Sequence, residues 1–144
     1  MGTDRAVVVF LRMVGTLDLL ALPFALLPFA WIDKIHQGLG LGTLPNYPTV
    51  AYLARCVCLL YAANGALAWR LSTDVGRFAP LIGFEAAVAI LLGTWILVVD
   101  CSVGMPVWWT ALEGPAIAAM GTSLWLLLQR TRSRTNGALR DDAH

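Results

Sequence analysis

Residues 78–99 read FAPLIGFEAAVAILLGTWILVV, an apolar run broken by one ionisable side chain, Glu85. At about 1.5 Å of rise per residue, a helix over this run crosses a hydrocarbon core roughly 30 Å thick. Three further stretches of the same kind lie at 6–31, 49–71 and 106–128. The chain has 144 residues, one domain by length, with 58 % hydrophobic and only 13 % charged. Soluble domains are about half apolar and a quarter charged. Little is left over for a soluble domain, so function must reside in the membrane or on short loops. The expected fold is all-α, a four-helix transmembrane bundle in up-down-up-down order over residues 1–130. A polar tail, 131–144, is expected to be disordered.

The first stretch follows Arg5 as a signal peptide would. Asp18 interrupts it, however, and Pro28 stands where a small residue should precede the Ala30 cleavage candidate, so it reads as a retained helix. Pro23 and Pro28 should bend or loosen its outer half, because each removes a backbone donor. Arg5, Arg70, Arg77, Arg130, Arg132, Arg134 and Arg140 fall at the N-terminus, the second loop and the tail. The first loop carries only Lys34 and the third neither Lys nor Arg. Under the positive-inside rule both termini are cytoplasmic and loops one and three lie outside. Trp31, Tyr47, Tyr52, Trp108 and Trp109 then mark the outer interface, and Trp69 and Trp125 the inner one. The first loop opens with an amphipathic turn (Ile32, Ile35, Leu39) and runs into Gly38-Leu-Gly-Leu-Gly42; without a preceding strand these glycines are not a dinucleotide site. Small residues spaced by four, Ala62 and Ala66, Ala89 and Gly93, Gly114 and Ala118, suit close helix packing in lipid.

Five ionisable residues lie inside the spans: Arg12, Asp18, Arg55, Glu85 and Glu113. A charge at mid-bilayer depth costs at least about 3 kcal/mol on the insertion scale, so such residues face protein or water. Arg12 and Glu85 each lie about two turns from the cytoplasmic end of their helices, and Arg55 and Glu113 about two turns from the outer end. Matching depth and opposite sign predict two buried ion pairs, Arg12–Glu85 and Arg55–Glu113. Such pairs fix helix register without any substrate, and Arg12 has the further option of snorkelling to the headgroups. Asp18 lies between the two levels. It either joins the Arg55 cluster or remains a titratable mid-membrane carboxyl, the one feature able to move protons.

Other chemistries are excluded by what is missing. The only histidines, His36 and His144, cannot supply paired haem ligands or the carboxylate–histidine set of di-iron bundles. Cys56 and Cys58 are separated by one residue, so the Cys-x-x-Cys pair of disulfide-relay membrane enzymes such as the vitamin K epoxide reductase family is absent. Cys101 and Cys56 have the option of meeting near the outer face, although inert thiols are the plainer reading. Asp33, His36, Asp100 and Cys101 would form an outer-face metal site only if the loops converged. No cofactor is expected, and a net charge of +1 gives no reason to expect nucleic acid.

The opening of the first span, Phe10-Leu-Arg-Met-Val-Gly15, together with length and four-span topology, resembles small bacterial DoxX-like membrane proteins. The resemblance implies an inner-membrane protein, often an accessory to a redox complex, and carries no functional residue across. The expected function is therefore non-enzymatic. The chain would be an accessory subunit of a larger membrane complex, or a binder of a lipid or other hydrophobic small molecule, with a homo-oligomer an open option. The alternative is a proton-coupled transporter of a small solute using Asp18 or Glu113, and a membrane enzyme comes third.

Overall fold

The computed structural model describes the backbone of residues 2–141 and the side chains of 5–131 and 133. Every regular element among them is helical: α1 (Gly2–Leu19), α2 (Leu22–Leu26), α3 (Phe29–Gly38), α4 (Pro48–Leu71), α5 (Val75–Val103) and α6 (Val107–Asp141). Four segments are long and apolar enough to span a membrane: Arg5–Leu26, Pro48–Leu71, Val75–Val103 and Val107–Thr131. Three match the stretches read from sequence to within a few residues, whereas the first ends at Leu26 and not at residue 31; the protein is a multi-pass membrane protein by this measure. The backbone of residues 131–141, a stretch expected to be disordered, continues α6, and 142–144 lie outside the described residues.

The first span is interrupted where its prolines require. Pro23 has no N–H for the carbonyl of Leu19, and its ring would collide with that group, so α1 stops at Leu19. Leu27, preceding Pro28, is extended at φ −66° and ψ 147°, as the residue before a proline prefers. The Pro28 carbonyl then accepts from Trp31 N at 2.9 Å to begin α3. This helix starts at Phe29 and thus runs further than the single amphipathic turn expected at Ile32.

The chain divides into two compact units, residues 11–70 and the remainder. Within residues 11–70, α1 and α4 meet backbone to backbone at two glycines. A Cβ on Gly65 would stand 2.6 Å from the Gly15 carbonyl oxygen, and one on Gly15 would stand 2.8 Å from that of Gly65. No side chain larger than hydrogen fits either position. This close approach uses Gly65 and Ala68; of the Ala62 and Ala66 pair read from spacing, Ala62 is buried and Ala66 exposed.

The second unit is dominated by the α5–α6 hairpin. Asp74 caps α5, its Oδ1 accepting from Arg77 N at 3.0 Å. Gly104 ends the helix in the left-handed conformation (φ 73°), its N–H returning to the Asp100 carbonyl. The Pro106 carbonyl accepts from Trp109 N and Thr110 N, starting α6. Gly83 lies near Leu128, Gly121 against Ala86 and Ala89, and Gly93 against Gly114 and Ala118. Rising numbers on α5 meet falling numbers on α6, so the two are antiparallel. Both small-residue pairs expected here, Ala89 with Gly93 and Gly114 with Ala118, belong to this seam.

Candidate functional site

In the unit of residues 11–70 a ladder of polar contacts ties the first span to α4. The Arg12 guanidinium stands 5.2 Å from the centroid of the Trp69 ring, within cation–π range. Trp69 Nε1 donates to Thr16 Oγ1 at 3.3 Å, and that hydroxyl donates to the Arg12 carbonyl at 2.7 Å. One turn further, Asn64 Nδ2 donates to Asp18 Oδ2 at 2.8 Å. Asp18 is half-buried and Asn64 exposed. The glycine contact sets the spacing for this bond, since a Cβ on Gly65 would touch the Asp18 Cβ at 3.0 Å.

Arg55 answers the proline break. Its Nη2 donates to the Leu27 carbonyl at 3.3 Å and its Nη1 to the Ala51 carbonyl at 3.2 Å. Leu27 is the extended residue between α2 and α3, so its carbonyl has left the helical ladder. An orphaned carbonyl at membrane depth needs a donor from a neighbouring helix. Arg55, half-buried on α4, supplies it.

In the other unit, Glu113 accepts from Trp109 Nε1 four residues earlier on α6. Glu85 is half-buried on α5. Asp100 is buried at 6 % exposure, and its Oδ2 has no hydrogen-bond partner among the described residues.

These partners correct the expected ion pairs. Among the described residues there is no salt bridge, neither Arg12–Glu85 nor Arg55–Glu113. The physical reason is local supply. Arg55 is engaged by carbonyls, Glu113 by an indole on its own helix, and Arg12 by an aromatic face. Matching charges by depth ignored neutral polar groups, which reach these side chains without a second full charge to desolvate. The i, i+4 spacing of Trp109 and Glu113 was the available signal. Asn64 and Thr16, two uncharged polar residues inside spans, were the other.

The outer-face metal set is also absent: among the described residues no group of three or more His, Cys, Asp or Glu is placed to hold a metal. Asp33 Oδ1 accepts from Leu44 N at 2.7 Å and its Oδ2 from Gln37 Nε2 at 2.8 Å. His36 Nδ1 donates to the Gly42 carbonyl at 2.8 Å. Both side chains are engaged in closing their own loop. Asp100 and Cys101 belong to the other compact unit. The three cysteines are free thiols, Cys56 and Cys58 half-buried and Cys101 exposed. Of the interfacial aromatics, Trp31, Tyr47, Tyr52, Trp108, Trp69 and Trp125 are exposed, whereas Trp109 is half-buried beside Glu113.

No protein-family model matches the chain, and no curated protein or solved structure matches it. The DoxX-like resemblance accordingly rests on residues 10–15, the chain length and the number of spans.

Proposed function

We propose that this protein is a non-catalytic membrane protein that binds an amphiphile with an anionic head, a phospholipid or a fatty acid, at Arg55. The carrying observation is the state of that guanidinium. It offers five N–H donors in a planar fork. Two point to the Leu27 and Ala51 carbonyls, which hold the group in place. The other three are uncommitted among the described residues. Arg55 lies about 10 Å from the Pro48 end of α4, a depth at which a lipid head with its tails along the helix is the natural anion. A phosphate or carboxylate accepts two parallel bonds from such a fork. The charge pattern supports both termini being cytoplasmic, and the DoxX-like motif supports a bacterial inner membrane and an accessory place beside a larger complex.

The test is native mass spectrometry of the protein purified in mild detergent. Wild type is expected to retain an anionic lipid or fatty acid, and Arg55→Gln to lose it at least about tenfold, the effect of one charged hydrogen-bonding partner. Arg55→Lys keeps the charge without the fork and should fall between the two. Equal retention in Arg55→Gln defeats the reading.

A second reading, proton-coupled transport of a small solute, draws support from the Asp18–Asn64 bond, a carboxyl held at membrane depth by a neutral partner. On that reading Asp18→Asn abolishes pH-dependent uptake into vesicles while the protein still inserts. On the lipid-binding reading, wild type and Asp18→Asn behave alike.

A further inference from the structure

One face of α4, exposed along its middle, carries a repeat that the lipid-binding reading does not use. Val50, Leu53, Val57, Leu60, Asn64 and Leu67 follow one another at alternating intervals of three and four residues. This is the a/d repeat by which two helices interlock side chains. Val50, Val57 and Asn64 occupy the first position of the repeat, and the three leucines occupy the second. β-Branched residues at the first position with leucine at the second favour two parallel strands, and a single asparagine at the first fixes register and partner number. The middle of the face is open: Leu53 is 54 %, Val57 49 % and Leu60 70 % exposed.

An apolar face alone has little reason to associate in lipid, because acyl tails are as apolar as leucine. Asn64 changes that. Its amide has two N–H donors and one acceptor oxygen, and its one side-chain hydrogen bond among the described residues goes to Asp18. One N–H and the carbonyl oxygen are left on an exposed residue about 10 Å from the Leu71 end of α4. The occupant of this face must therefore bring a donor and an acceptor to the same depth, which lipid tails do not. A second copy inserted in the same orientation does. A two-fold axis along the membrane normal sets Asn64 of each copy against Asn64 of the other, each N–H meeting the opposite carbonyl oxygen.

We propose that the chain forms a parallel homodimer through this face of α4, with reciprocal Asn64 hydrogen bonds as its clasp. The test uses the full-length protein in phospholipid vesicles, with Cys56→Ser, Cys58→Ser and Cys101→Ser removing the native thiols. Leu60→Cys and Leu59→Cys are compared under copper–phenanthroline oxidation. Leu59 is also 50 % exposed, but a helix turns about 100° per residue, which takes it off the seam. Leu60→Cys is expected to give disulfide-linked dimer at least about fivefold faster than Leu59→Cys, and adding Asn64→Val should lower the yield about fivefold. Leu53→Trp, which leaves the Asp18 bond intact, should lower it as well. Monomer alone at Leu60→Cys, equal rates at the two positions, or yields unaffected by both Asn64→Val and Leu53→Trp would overturn the dimer.

Discussion

At the scale of single residues, hydrogen matters as much as charge. Gly15 and Gly65 allow two helix backbones to touch, and only then do Asp18 and Asn64 stand within 2.8 Å. Gly65→Val should cost about 3 kcal/mol, since the added carbons meet backbone atoms that cannot rotate away. Gly38→Ala should instead leave stability unchanged or raise it by up to about 1 kcal/mol, because a Cβ there meets nothing within 4 Å. Thermal unfolding in detergent separates the two; similar melting temperatures for both variants would contradict the contact. The five intramembrane charges were legible from sequence as residues needing partners. Their partners were not, because carbonyls and indoles do not announce themselves by sign. Gly65 was hidden for a related reason. It lies beside the more conspicuous Ala62 and Ala66, and only the azimuth of the helix reveals which small residue faces the neighbour.

At the scale of elements, the spans themselves were readable to within a few residues, since long apolar runs admit few alternatives. What spacing left open was how the first span breaks. Pro23 and Pro28 convert it into α1, α2 and α3 and expose a carbonyl that Arg55 then holds. Pro28→Ala restores the N–H missing from the ladder and should let α2 and α3 join. Circular dichroism should then show more helix, and lipid retention should drop in parallel with Arg55→Gln, because the Leu27 carbonyl returns to its own helix. Unchanged helicity and retention would mean that the break does not depend on that ring. The hairpin of α5 and α6 shows no such break, although Pro80 and Pro115 lie inside its helices: its small residues were visible at four-residue spacing, and they form the observed seam.

At the scale of the whole molecule, the proposed sidedness rests on where the arginines lie, and a thiol offers a direct check. Cys101 is exposed near the Val103 end of α5, whereas Cys56 and Cys58 are half-buried within α4. With the termini inside, an impermeant maleimide added to intact cells should label Cys101, and Cys101→Ser should abolish the signal. Labelling only after lysis would reverse the assignment. The same sidedness gives the Asp33–Leu44 tie a meaning beyond local geometry. Asp33 and His36 fasten the glycine-rich turn to α3, so its ordering entropy is lost on folding rather than on contact. With the first loop outside, as proposed, the segment would meet the exterior as a pre-shaped epitope, suited to an antibody that recognises the native protein and ignores the linear peptide.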